Sequence, residues 1–114
     1  MKIIVNNNMY NTTPVLVSKD IRNGMGNKKF GDGLDSMLFL MKEGNNSFWM
    51  KNCLINLDII FINRDLITEI HHNCKPCISD DCESYTGYGD IVLEIPGGDC
   101  KKYNITIGDK IKIV

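Results

Sequence analysis

A chain of 114 residues, 43% of them apolar and 24% charged, has the size and composition of one globular domain with a single core. Its formal net charge of −1 leaves no excess of positive charge, which argues against nucleic acid or an anionic membrane as the partner. Its apolar runs are too short to span a bilayer, and the first of them is too short for a signal peptide. We therefore expect one domain over residues 1–114, located in the cytoplasm.

Amino-acid usage favours strands over helices. The chain has no alanine, the strongest helix former, and it is rich in isoleucine, which favours strands. The absence of glutamine and the abundance of asparagine and lysine suggest an AT-rich genome, such as that of some phages. For a phage-encoded chain, the virion is the alternative location.

The first half of the chain predicts short strands and one short helix. Residues 1–5 and 9–13 form a predicted hairpin, because the asparagines between them tolerate turn geometry. Ser18 is a predicted N-cap for a helix of two turns. Residues 36–41 are apolar and strand-like, and residues 43–46 have the composition of a hairpin turn.

The central stretch, Ser47–Ile62, holds the single tryptophan and the most continuous apolar run. Within it, Leu57–Ile62 predicts a central strand that is buried on both faces. Asp58 lies inside this run, and a buried carboxylate is costly unless it is paired or hydrogen-bonded. Residues 63–65 predict a tight turn, after which Leu66–His72 returns as the antiparallel partner strand.

The C-terminal third begins with a predicted long loop over residues 73–89, and such loops are usually functional or cross-linked. The remaining predicted elements are a strand over residues 90–96, at most one helical turn within 97–103, and extended segments over 105–107 and 110–114. Many short strands separated by turn signals predict a small β-sandwich or β-barrel.

The cysteines offer a candidate metal or thiol site. Five are present, an odd number that cannot pair completely: Cys53, Cys74, Cys77, Cys82 and Cys100. Together with His71, the three in the predicted loop place four soft ligands within twelve residues, a set that suits tetrahedral zinc. The alternatives are free thiols, a Cys77–Cys82 disulfide, or a thiol nucleophile activated by His71 or His72. We predict no cofactor, with zinc at this loop as the alternative.

A second candidate site surrounds the tryptophan. Trp49, Lys51, Asn52 and Asp58 place an aromatic ring near an ammonium, an amide and a carboxylate, which are typical of a site for a small polar molecule. Tyr85, from the predicted long loop, is a candidate for the opposite wall. The alternative is a core tryptophan beside a buried Lys51–Asp58 pair that serves structure alone. For Asp58 itself we favour a structural role, with Lys51, Asn52 or backbone amides as its partner.

Several segments resemble one protein family. Phe48-Trp49-Met50-Lys51-Asn52, followed by Leu57-Asp58-Ile59-Ile60-Phe61-Ile62, resembles the signature of the domain-of-unknown-function 192 family. Further similar segments are Arg22–Met25, Met37–Phe39, Pro76-Cys77 with Cys82 and Tyr85, Leu93–Gly98, and Ile107–Asp109. The chain departs from the family pattern at Cys53, which replaces a threonine, at Ser36, which replaces a glycine, and at Cys74, which is additional.

This resemblance implies a mainly β, compact and mostly antiparallel barrel-like fold of short strands with one or two short helical turns. It also implies a Cys77–Cys82 pair. It implies no activity, because the function of the family is not established.

Because no catalytic motif is evident, we predict a non-catalytic binding module for a small polar ligand or a partner segment. The predicted ligand-binding residues are Trp49, Lys51, Asn52, Asp58 and Tyr85. One alternative is a structural or interaction protein with a sealed core. The other is a thiol- or zinc-dependent enzyme that uses the Cys74–Cys77–Cys82 loop.

Overall fold

A computed structural model describes residues 1–15, 24–26, 29–31 and 33–114, the side chains of 13–15 excepted. Within these ranges the chain forms seven strands and one four-residue helix: β1 (Lys2–Val5), β2 (Asn8–Val15), β3 (Ser36–Trp49), β4 (Leu57–Asn63), β5 (Leu66–Cys74), β6 (Ser84–Pro96), α1 (Asp99–Lys102) and β7 (Ile111–Ile113). The strands form one sheet in the order β5-β4-β6-β3-β2-β1-β7. Every pairing is antiparallel except that of β2 with β3. The predicted mainly β, mostly antiparallel fold is confirmed.

The sheet curls until its two edges meet. Leu66, at the start of β5, forms an antiparallel bridge with Lys110, just before β7. The amide of Ile67 donates to the carbonyl of Asp109 at 2.9 Å, and the amide of Ile111 donates to that of Asp65 at the same distance. These bonds satisfy backbone groups that an open sheet would leave unpaired along its edges. The predicted barrel-like form is confirmed.

The two faces of the sheet carry two separate apolar clusters. The inner cluster draws residues from all seven strands and therefore fills the concave side: Ile3, Val5, Tyr10, Leu38, Ile60, Ile62, Ile67, Ile70, Ile91, Leu93, Ile95, Cys100, Ile105 and Ile111. The outer cluster covers the central strands: Met25, Phe39, Phe48, Met50, Cys53, Leu57, Ile59, Phe61, Cys74 and Val92. Every residue of Leu57–Ile62 is buried, so the predicted central strand with two covered faces is confirmed.

The turn predicted at residues 43–46 is wrong, because β3 runs without interruption from Ser36 to Trp49. Gly44 and Asn45 pair with Gly89 and Tyr88 of β6, and a register shift between Leu40 and Gly44 absorbs the irregularity as a bulge. The long β3 supplies a partner for the start of β6. The loop predicted over residues 73–89 is therefore shorter, spanning only residues 75–83 between β5 and β6.

Smaller predictions have mixed outcomes. The tight turn after β4 is confirmed, and its Arg64 and Asp65 have positive φ of 49° and 68°. Regular side-chain alternation along β5 is broken by a bulge at Thr68, so that Ile67 and Ile70 both face the inner cluster. The helical turn within residues 97–103 is confirmed as α1, whereas 105–107 is not a strand. The helix predicted from Ser18 falls almost entirely outside the described residues. Among the described residues, no helix is long and apolar enough to cross a membrane.

Candidate functional site

The Asp58 carboxylate is fully buried at the end of the barrel where β4 begins. Its Oδ1 accepts hydrogen bonds from the backbone amides of Asn73, at 2.7 Å, and Gly98, at 3.0 Å, while Oδ2 accepts one from Cys100 at 2.8 Å. Asn73 and Gly98 have φ of 49° and 97°, a conformation that asparagine and glycine tolerate best. The carboxylate therefore ties β4 to the end of β5 and to the segment that leads into α1.

Lys51 pairs with a different partner from the one that the sequence suggested. Its Nζ donates to the carbonyl of Ser79 at 2.5 Å and lies 3.0 Å from Oδ1 of Asp80. The hypothesis of a buried Lys51–Asp58 pair is thus wrong. Lys51 follows β3 and contacts the loop between β5 and β6, while Asp58 is satisfied by backbone amides on the inner side.

The segment after β3 is hydrogen-bonded to the loop between β5 and β6. The amide of Asn52 donates to the carbonyl of Cys77 at 2.9 Å, and the amide of Cys77 donates to the carbonyl of Met50 at 3.1 Å. A disulfide joins Cys77 to Cys82, with Cα atoms 5.9 Å apart. Asn52 is exposed and has a φ of 59°. These contacts give the Met50–Asn52 segment a defined conformation against the disulfide loop.

The five residues predicted to bind a ligand are divided between the two faces of the sheet. Phe48 of β3 pairs with Tyr85 of β6, so both side chains point to the outer face, whereas the next residue, Trp49, points to the other. Trp49 is 43% exposed. Asp58 lies on the inner face and is closed off from solvent. The structure therefore does not gather these five residues around one cavity.

The candidate zinc ligands of the cysteine loop are also engaged elsewhere. Cys77 and Cys82 offer no thiolate while their disulfide is intact. His71 Nε2 lies 2.8 Å from the carbonyl oxygen of Thr86. Burial raises the pKa of the Cys74 thiol to about 12, so it is protonated at neutral pH and a poor nucleophile. The same cause raises the pKa of Cys53 to about 11.

A pocket of about 520 Å³ opens beside β5 and α1. Its wall contains the apolar side chains of Ile70, Ile105 and Ile107, and its polar lining consists of His72, Cys100, Lys101, Asn104 and Thr106. Residues 105–107 form part of this wall because Ile105 is anchored in the inner cluster while Ile107 remains exposed. Sequence reasoning missed this pocket, since no motif marks residues that converge from β5 and from the chain after α1.

Asp58, His72 and Cys100 meet beside this pocket. One carboxylate oxygen, one imidazole nitrogen and the Cys100 sulfur lie within 4.8 Å of one another. Asp58 and Cys100 are buried and His72 is exposed. Burial, followed by the nearby Asp58 carboxylate, raises the pKa of the Cys100 thiol. As a free thiol, Cys100 is therefore not poised for nucleophilic catalysis.

One protein-family profile matches most of this sequence. The sequence profile of the domain-of-unknown-function 192 family (DUF192), described as "Uncharacterized ACR", matches residues 19–113. The chain belongs to this family. The signature segment has two structural roles in this DUF192 member. Lys51 and Asn52 bind the disulfide loop, while Asp58 accepts backbone hydrogen bonds that fix one end of the barrel.

Solved structures resemble this DUF192 chain over nearly its whole length. A protein of unknown function from Novosphingobium aromaticivorans DSM 12444 is 28% identical, with a TM-score of 0.84, and the match covers 98% of this chain and 84% of that one. A protein from Sinorhizobium meliloti 1021, described as a proposed transcription regulator, is 23% identical, with a TM-score of 0.82 and coverage of 97% and 89%. The second likeness shows the fold alone. No curated protein matches the sequence.

A second buried carboxyl group lies on the outer face. Glu94 of β6 pairs with Ile59 of β4 and Met37 of β3, and it is 2% exposed. Among the described residues, its Oε1 has no hydrogen-bond partner. Burial raises the pKa of this carboxyl to about 8, so the group is mostly protonated at neutral pH. The alternation of β6 is the only sequence signal for it, since Glu94 shares a face with Val92.

Proposed function

We propose that this chain is a non-catalytic binding module, and that its site is the pocket beside β5 and α1. The observation that supports this proposal is the pocket itself, whose volume of about 520 Å³ lies within the range of small-molecule sites. A concave apolar wall with a few convergent polar groups is the usual composition of such sites.

The lining indicates which ligand chemistry fits. Among the described residues that line the pocket, Lys101 contributes an ammonium group. Asn104 and Thr106 offer hydrogen-bonding groups, and Ile105 and Ile107 offer apolar contact. A small anion with a short apolar body, such as an organic carboxylate, satisfies these groups together. The ligand class that we propose is therefore a small amphipathic acid.

Other functions fit the structure less well. A thiol enzyme of the Cys74–Cys77–Cys82 loop requires an activated thiolate, whereas Cys74 has a raised pKa and the other two sulfurs are bonded to each other. A sealed structural core does not account for the open pocket. One relative is described as a proposed transcription regulator, but the net charge of −1 does not favour a phosphate-binding surface on this chain.

The test is a titration of ¹⁵N-labelled protein with small acids of increasing apolar size, such as acetate, butyrate and benzoate, with benzamide as the uncharged counterpart. We expect amide shifts concentrated at residues 70–72 and 101–107, produced by the acids and not by the amide. Loss of the ammonium in Lys101→Met weakens binding about 5- to 10-fold, which corresponds to roughly 1 to 1.4 kcal/mol.

Lys102→Met is the matched control, because Lys102 lies on the same helix with its Nζ 5.1 Å from the centre of the Tyr103 ring and does not line the pocket. Equal affinities of the two variants, or shifts that map to residues 49–52 and 85 instead, would rule out this site.

A further inference from the structure

Three side chains at the edge of the pocket bring together three types of metal-ligand atom. Asp58 contributes an oxygen, His72 a nitrogen and Cys100 a sulfur, all within 4.8 Å of one another. They come from three different elements, β4, β5 and α1, and lie up to 42 residues apart in the chain. We propose that Asp58, His72 and Cys100 bind one divalent transition-metal ion, with zinc as the best fit, and leave its fourth coordination position open to the pocket.

The geometry requires only a small contraction. With zinc–nitrogen and zinc–oxygen bonds of about 2.0 Å and a zinc–sulfur bond of about 2.3 Å, the ligand atoms of a tetrahedral site lie roughly 3.3 to 3.6 Å apart. The present limit of 4.8 Å exceeds this by little more than 1 Å. His72 is exposed and can move inward by side-chain rotation.

Asp58 is already oriented for this role. Three backbone amides fix its carboxylate, and such outer-shell hydrogen bonds are what position a metal ligand. A carboxylate offers about four lone-pair sites, so one remains after these three bonds. The Cys100 sulfur lies within 4.8 Å of a carboxylate oxygen of Asp58. On binding, the metal replaces the proton of the thiol, and this proton passes to solvent.

Charge and donor type select the metal. A carboxylate, a thiolate and a divalent cation sum to zero, so the site buries no net charge where Asp58 and Cys100 are shielded from water. A sulfur and an imidazole nitrogen disfavour magnesium and calcium, which prefer oxygen ligands. Three protein ligands with one open position are typical of sites at which zinc holds an exchangeable molecule.

This inference rests on the proposed function in one respect, since the pocket forms the open side of the site and a bound acid would face the metal. Metal binding itself needs no organic ligand. The two proposals can therefore fail separately.

The test is a cobalt(II) and zinc(II) titration of chelator-stripped protein with its Cys77–Cys82 disulfide intact and no organic acid present. We expect one cobalt ion per chain, with a thiolate-to-cobalt charge-transfer band and the intense visible bands of tetrahedral cobalt, both abolished by zinc. Cys100→Ser removes the charge-transfer band. His72→Asn, at an exposed position where folding is not at risk, weakens binding by more than the roughly 10- to 100-fold caused by loss of an outer-shell partner.

Matched controls exist for both donors. Cys53→Ser and Cys74→Ser remove other buried thiols, and His71→Asn removes the neighbouring imidazole; all three retain the cobalt spectrum. Lys101→Met also retains it, although this variant binds the organic acid about 5- to 10-fold more weakly. Absence of a cobalt spectrum in the parent chain overturns the proposal, as does a charge-transfer band that survives Cys100→Ser or an affinity unchanged by His72→Asn.

Discussion

The buried carboxyl of Glu94 makes the stability of this protein depend on pH in an unusual direction. Its pKa is about 8 in the folded protein and 4.5 without burial. The folded state therefore binds this proton more tightly than the unfolded state does. The resulting stabilisation is fully present below pH 4.5 and is lost as the pH rises through about 8, whereas most carboxylates stabilise proteins as the pH rises.

The magnitude follows from the size of the shift. At 1.36 kcal/mol per unit, a shift from 4.5 to about 8 is worth roughly 5 kcal/mol in full, of which about 3.5 kcal/mol falls between pH 5 and pH 8. Since small domains are stable by only about 5–15 kcal/mol, this one carboxyl governs a large part of the pH dependence. The desolvation is complete, because Glu94 is only 2% exposed and no cation pairs with it among the described residues.

The perturbation is Glu94→Gln, which keeps the shape of the side chain and removes its proton equilibrium. We expect the free energy of unfolding of the parent chain to fall by about 3.5 kcal/mol more than that of the variant between pH 5 and pH 8. Urea unfolding at half-unit pH steps, followed by far-UV circular dichroism, measures this difference. The slope with denaturant should be the same for both proteins.

The pH range from 5 to 8 separates the effect of Glu94 from that of the buried thiols on the same face. The thiols of Cys53 and Cys74 have pKa values of about 11 and 12, above their ordinary value of 9.0, so their contributions begin only above the window. Parallel stability curves for the two proteins from pH 5 to pH 8 would contradict this prediction and show that Glu94 is solvated or paired.

Two further substitutions test the frame of the barrel. Asp58→Asn removes the charge that three backbone amides share, and we expect a loss of about 2–4 kcal/mol in thermal or chemical unfolding, against almost none for Asp80→Asn, whose side chain is fully exposed; a loss below 1 kcal/mol would contradict the structural role. Gly89→Ala places a Cβ against the carbonyl of Ile62, so we expect about 1–3 kcal/mol of destabilisation. Gly31→Ala should be neutral, because no atom of the described residues lies within 4 Å of the added Cβ. Equal stability of the two glycine variants would show that β6 is free to shift away from β4.

Local pattern predicted the parts of the fold that depend on local chemistry. The apolar run Leu57–Ile62 identified β4 because only a strand with two covered faces keeps such a run out of water. The turn at residues 63–65 was also predictable from local chemistry, because its residues accept positive φ. The turn predicted at Glu43–Asn46 was wrong. These residues suit a turn, but the long partner strand β6 holds them in a bulged strand instead.

The hydrogen-bond partners of Asp58 could not be predicted from local pattern. The sequence indicated that Asp58 requires a partner, because an unpaired buried carboxylate is costly. Its partners are backbone amides of residues 15, 40 and 42 positions away. Every residue except proline has such an amide, so no side-chain pattern marks the ones that Asp58 binds.

Residue chemistry and spacing along the chain were enough to predict the class of the fold, the family, the central strand and the need to satisfy Asp58. The residues that meet Asp58 became known from the folded chain. Closure of the barrel brings His72 from β5 and Cys100 from α1 to the same end as β4, beside an open pocket. Convergence of distant segments depends on how the sheet curls, and that curl arises from the packing of all seven strands together.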